Sequence, residues 1–103
     1  MVIMEKRNQS YMLADIQSQM KNIDGLRLTS SSRKGLVELD FDDNDAVHAI
    51  QALTMKDFKK SMTTYANHKV WQDVYNSSYK GVDLYIKFQQ DNEGFFTISF
   101  KEL

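Results

Sequence analysis

The chain contains no cysteine, which excludes a disulfide framework and any thiolate metal site. No apolar run approaches the roughly 20 residues that a membrane span needs. The opening Met1–Arg7, MVIMEKR, is charged too soon for a signal peptide, so the cytoplasm is the expected compartment. Internal repeats, low-complexity tracts and linkers are also missing, and residues 1–103 are expected to form a single domain. An excess of charge is missing too, since 13 Lys and Arg against 14 Asp and Glu give a net charge of -1. Met1–Leu53 holds six basic and eight acidic residues and Thr54–Leu103 seven and six. That difference is too slight to separate a nucleic-acid face from a solvated surface of mixed sign.

What is present is an ordinary mixture, 42% apolar and 26% charged, patterned first as helices and then as strands. Ser10–Ile23 carries Met12, Ile16, Met20 and Ile23 on one stripe with Leu13 beside them, which predicts a helix with Ser10 as N-cap and Asp24-Gly25 as its stop. Leu26–Leu28 reads as a short extended stretch. Thr29–Ser32 offers caps for a short second helix through Leu36, Val37 and Leu39, weakened by Gly35. Asp42–Leu53 reads as a third helix, its acidic start suiting the positive end of the dipole and Ala46, Val47, Ala49, Ile50 and Leu53 forming the buried face. Thr54–Asp57 resembles a capping box and one further turn.

After Phe58 the period changes to alternation. In Val82–Phe88, residues 82, 84, 86 and 88 point one way and Asp83, Tyr85 and Lys87 the other. Phe95–Lys101 is expected to turn Phe96, Ile98 and Phe100 inward and Thr97, Ser99 and Lys101 outward, with Gln89–Gly94 as the hairpin loop. Pairing sums of 182 or 184 would set Tyr85 opposite Thr97 or Ser99, with Lys101 its diagonal neighbour in the second case. Helices before strands predict an α+β fold, an antiparallel sheet covered on one face. The uncovered face would gather Tyr85, Lys87 and Lys101, a set that suits a phosphodiester and equally any solvent-exposed sheet.

Specific motifs go further. Lys60-Ser61-Met62-Thr63-Thr64-Tyr65, Trp71-Gln72-Asp73-Val74-Tyr75, Leu84-Tyr85-Ile86-Lys87-Phe88, Ser99-Phe100-Lys101-Glu102 and the early Met4-Glu5-Lys6-Arg7 together resemble the motility quorum-sensing regulator (MqsR) toxins over essentially the whole chain. The resemblance implies a RelE-like fold, two or three N-terminal helices on one face of a curved antiparallel sheet. It implies the toxin of a toxin–antitoxin pair, a nuclease that cuts single-stranded mRNA at GC-containing triplets without a metal and without the ribosome. By motif, its catalytic positions fall on Lys60, Gln72, Tyr85 and Lys101. The partner it implies is an antitoxin with a zinc-stabilised toxin-binding domain and a DNA-binding domain. The chain departs from the family at Lys59, where a tyrosine is common, and in Asn76–Gly81, which lacks the usual basic or proline-containing stretch.

These residue types fit metal-free RNA cleavage, in which the ribose 2′-hydroxyl attacks phosphorus and the 5′-oxygen leaves. Lys60 and Lys101 would neutralise the phosphorane. Tyr85 would act as acid or base, its pKa lowered by the cations around it. Gln72 would donate to a phosphate oxygen or hold a base. Lys59, Lys87, His68, Trp71 and Tyr75 are candidate RNA contacts, the two aromatics being also candidates for packing and His68 for a loop residue. His48 reads as surface. Neither histidine sits in a metal-ligand spacing, so no metal or other cofactor is expected. Two readings compete with the nuclease: a ribosome-dependent mRNA nuclease, and a non-catalytic RNA- or antitoxin-binding relic of the same fold.

Overall fold

The computed structural model describes residues 3–103. Three helices, α1 (Leu13–Gln19), α2 (Ser30–Glu38) and α3 (Asp43–Gln51), precede most of a sheet made of β1 (Glu5–Lys6), β2 (Phe58–Thr63), β3 (Trp71–Tyr79), β4 (Val82–Asp91) and β5 (Gly94–Glu102). The strands lie in chain order and every neighbouring pair is antiparallel. The helices cover one face, where Leu13, Ile16, Met20, Leu36, Ala46, Ala49 and Ile50 pack on Tyr75, Leu84, Ile86, Phe88 and Phe100. This is the α+β arrangement expected from the pattern of elements, and it is consistent with the RelE-like fold that the resemblance implies.

The third helix forms as its sequence predicts. Asp42 and Asp45 close a capping box, and Ala46, Val47, Ala49 and Ile50 are buried. Thr54 and Asp57 close a second box over one 3-10 turn. The first helix is shorter than its apolar stripe: Met12 stands at the N-cap with no side-chain cap bond, and Met12 and Ile23 are exposed. Ser10 does not cap. Its hydroxyl meets the Ser61 hydroxyl at 2.6 Å. In the second helix Thr29 caps while Val37 is exposed.

Gly35 does more than weaken α2. A Cβ there would stand 1.8 Å from the Phe100 carbonyl oxygen, so only glycine lets α2 lie against β5. Overpacking costs about 1–3 kcal/mol, and helix propensity returns at most about 1 kcal/mol on replacing glycine by alanine. Because the obstacle is backbone, the clash dominates, and Gly35→Ala should lower the urea midpoint rather than raise it. An unchanged or higher midpoint would show that the helix can shift freely.

The β3–β4 connection is a two-residue turn, with Lys80 and Gly81 both at positive φ, the geometry that matches strand twist. Asn76–Tyr79 therefore belongs to β3. The turn places the Lys80 ammonium 2.7 Å from Asp45, and the Tyr79 hydroxyl donates to the same carboxylate at 3.0 Å. Lys80 first, then the backbone N–H of Asp42, holds the Asp45 carboxyl at about 2. A folded-state pKa below the unfolded value stabilises above the unfolded value, and that contribution disappears as pH falls through the folded one. Asp45→Asn should thus be less stable than wild type at pH 6 and converge with it near pH 2. Parallel melting curves down to pH 2 would contradict this.

The β4–β5 register departs from expectation. Tyr85 pairs directly with Lys101, a sum of 186, and between Lys87↔Ser99 and Phe88↔Thr97 the register shifts by one residue at Ile98. The bulge flips the alternation. Phe95, Thr97 and Phe100 are buried, whereas Phe96 and Ile98, expected inside, are half-exposed. The loop also shrinks to Asn92-Glu93, since β4 continues to Asp91 and β5 begins at Gly94.

Candidate active site on the uncovered sheet face

Residues paired across antiparallel strands share a face, so the register builds the site row by row. One row is Asn76, Tyr85 and Lys101. The next is Lys60, Val74, Lys87 and Ser99. A third begins with Glu5, Met62 and Gln72 and continues to Gln89, whose side-chain oxygen accepts from the Gln72 amide at 2.9 Å. All four catalytic candidates, Lys60, Gln72, Tyr85 and Lys101, therefore lie on the face opposite the helices, together with Lys87. Val74 is fully buried there although it lies outside the main core. Lys60 and Lys87 flank it in the same row.

The electrostatics centre on Tyr85. The Lys101 and Lys87 ammonium groups stand 5.1 Å and 6.0 Å from its ring centroid. Burial pushes the Tyr85 phenol above its ordinary value, and Lys60 offsets this only in part. The expected lowering by the cations is thus outweighed by desolvation, and at neutral pH Tyr85 is a proton donor. Lys87 is the lysine whose pKa falls, by burial first and then by repulsion from Lys101 and Lys60. Lys60 is held by Glu5, Oε2 to Nζ 2.8 Å. Asn76, beside Tyr85 in its row, has a buried side-chain oxygen without a hydrogen-bond partner among the described residues.

A phenol thus stands among three ammonium groups on an open sheet, with the Gln72 amide two rows away. The family model described as "Motility quorum-sensing regulator, toxin of MqsA" matches residues 8–102. The chain belongs to this toxin family. The mRNA interferase toxin MqsR of Escherichia coli (strain K12) is 34% identical to it over 99 residues, covering 96% of this chain and 99% of that protein.

The remaining RNA-contact candidates scatter. Lys59 sits at the irregularity between Phe58 and Lys60 and is exposed beside the site. His68 is exposed on the β2–β3 loop. Trp71 shares its strand parity with Asp73 and Tyr75, away from the lysine rows, and the Lys6 ammonium caps its ring at 4.2 Å. Tyr75 is corrected: it is fully buried in the core, packed edge-on against Phe58 and Phe88, and burial pushes its phenol far up. It has no surface on which a base could stack.

Sequence reasoning missed Glu5 and Asn76 as members of the face. The signal for Glu5 is its motif, Met4–Arg7, which carried no role until β1 paired with β2. Glu5, Lys6, Arg7, Lys59 and Lys60 line a cleft of about 330 Å³ next to the lysine rows. A larger cavity, about 590 Å³, is lined by Ala49, Ala52, Asp57, Ser77, Asp83 and Leu103 and contains none of these lysines.

Proposed function

We propose that this protein is the toxin of a toxin–antitoxin pair and an mRNA endoribonuclease. It cuts single-stranded RNA at GC-containing triplets without a metal and without the ribosome, by attack of the 2′-hydroxyl, and so arrests growth in the cytoplasm. The observation that carries this reading is the direct pairing of Tyr85 with Lys101, one row from Lys60 and Lys87. A phosphorane gathers negative charge on its equatorial oxygens, and preset cations stabilise that charge more than they stabilise the ground-state phosphodiester. Lys60, Lys87 and Lys101 supply those cations. Tyr85 protonates the departing 5′-oxygen, and the Gln72 amide, oriented by Gln89, orients a phosphate oxygen or a base. The products are a 2′,3′-cyclic phosphate and a 5′-hydroxyl. The antitoxin that restrains it carries a zinc-stabilised domain and a DNA-binding domain.

The test is to incubate purified protein with naked single-stranded RNA in EDTA and map the ends. Discrete cuts leaving cyclic phosphate are expected, and Lys60→Ala and Lys101→Ala should each relieve growth arrest while remaining folded. Intact RNA, with cleavage only of messages being translated, would transfer the assignment to a ribosome-dependent nuclease.

A further inference from the structure

We propose that the cleft at the start of β3 is a base-stacking subsite for a nucleotide of the RNA that flanks the cut, an inference that rests on the nuclease reading. The cleft encloses about 390 Å³ between Lys6, Gln9, Tyr11, Lys69, Trp71 and Gln90. Two cations and no carboxylate line it, although the chain as a whole carries one more acid than base. The larger cavity is its opposite, with Asp57 and Asp83 in the wall and no cation, and it would repel a polyanion.

Trp71 supplies the platform. It is half-exposed, and the ammonium of the exposed Lys6 stands 4.2 Å from its ring centroid. A cation at that distance sits over the ring face itself, so this face is turned away from the core. A nucleobase stacks on such a face, and the flexible lysine stem lets the ammonium swing from the ring to the phosphate of the stacked nucleotide. The platform is also fixed in advance. Trp71 pairs with Thr63, its carbonyl accepts the Tyr11 hydroxyl at 2.6 Å, and the Tyr11 ring meets Phe95 edge-on at 5.6 Å. An aromatic wall ordered before binding costs little entropy when the base arrives. Among the described residues no hydrogen bond engages the carboxamides of Gln9 and Gln90, which leaves their donors and acceptors for a base edge.

The path from the cut is direct. Gln72 follows Trp71 in the chain and lies in the last open-face row of β3, beside Gln89. Tyr85 pairs with Asn76, so its row lies about 16 Å along β3 from Trp71, at about 3.3 Å per residue. A single strand that leaves the lysine rows over Gln72 and turns past the end of β3 brings a base onto Trp71. That distance makes it the base of a flanking nucleotide, not of the one whose 2′-hydroxyl attacks. Stacking on an aromatic ring tolerates any base, so the subsite adds grip on the strand and leaves the choice of cut to the catalytic face.

Trp71 is the sole tryptophan, and its fluorescence therefore reports the subsite directly. The probe is an RNA oligonucleotide with a mapped cut site, made uncleavable by a 2′-deoxy sugar at the cut. A long version should quench Trp71 on binding, and a version trimmed to the nucleotides beside the cut should not. Trp71→Ala should bind the long version about 5–150-fold more weakly, the loss that one unstacked base brings. It should bind the trimmed version as wild type does, and cut bound, cleavable RNA at the wild-type single-turnover rate. Trp71→Phe, which keeps a ring, should recover part of the affinity. Lys69→Ala and Gln90→Ala, both at exposed positions, should also weaken only the long version, and they carry the test if Trp71→Ala does not fold. Unchanged fluorescence at saturation with the long version overturns the proposal. So does a folded Trp71→Ala that binds the long version like wild type, or that loses affinity for both versions equally. If wild type neither binds nor cuts naked RNA, the nuclease reading itself fails.

Discussion

Tyr85→Phe should slow RNA cleavage by about 10²–10⁴-fold, the usual contribution of a positioned general acid, while the protein stays folded. At about 1.36 kcal/mol per tenfold, that is roughly 3–5 kcal/mol of transition-state stabilisation. The fold should barely notice. Among the described residues no hydrogen bond engages the Tyr85 hydroxyl, and its ring would still meet the Lys101 and Lys87 ammonium groups. A stability change within about half a kcal/mol is expected for such a position. Substrate affinity should also hold, because the cations that attract RNA are untouched. The loss should therefore fall on the rate of the bound complex rather than on binding. Burial keeps the phenol protonated past its ordinary value, so loss of the Tyr85 proton should not limit the wild-type rate below about pH 10. A folded variant that cuts at the wild-type rate would remove Tyr85 from the chemistry.

The sequence made this tyrosine's face legible because β4 alternates cleanly. Leu84, Ile86 and Phe88 are fully buried, and Tyr85 and Lys87 are half-exposed on the other side. β5 misled because Phe96, Ile98 and Phe100 alternate equally well in the sequence, and the bulge at Ile98 that flips them carries no glycine to mark it. The bulge is also what brings Lys101 directly opposite Tyr85. Motif resemblance picked out Lys60, Gln72, Tyr85 and Lys101 one by one, but only the register shows them as adjoining rows. Glu5 stayed hidden because β1 has two residues, too few to show a period. Helix α1 is shorter than its apolar stripe for a related reason. An apolar stripe records which residues a helix would bury but not where tertiary contacts stop it. What fixes its start is a carboxylate sixty residues away in the chain.

That carboxylate is Asp73, and its removal should cost the fold heavily. It is fully buried and faces the helices, the neighbour of Gln72 turned the other way. Its two oxygens accept the backbone N–H of Ser10, at 3.0 Å each, and Oδ2 also accepts that of Tyr11 at 2.9 Å. It thereby takes the place of the missing side-chain cap just ahead of α1. The same segment is pinned by the Ser10–Ser61 contact and by the Tyr11 hydroxyl donating to the Trp71 carbonyl at 2.6 Å. Asp73→Ala strands two donors at about 1–3 kcal/mol each, and a loss of about 3 kcal/mol should lower Tm by about 15 °C in a domain of this size. Asp73→Asn should restore it only in part: an amide oxygen in the Oδ2 position still accepts both N–H groups, but the Nδ2 amide in the Oδ1 position would face the Ser10 N–H donor to donor. Since residues 7–12 join β1 to α1, freeing them loosens the strand that carries Glu5, whereas Tyr85 and Lys101 are paired on β4 and β5 at the far side. Amide exchange in Asp73→Ala should therefore accelerate first at Ser10, Tyr11 and Lys6 and last in the β4–β5 pair. If exchange instead rose uniformly, or Tm moved by only a degree or two, Asp73 would not be the fastening between the N-terminal segment and the sheet.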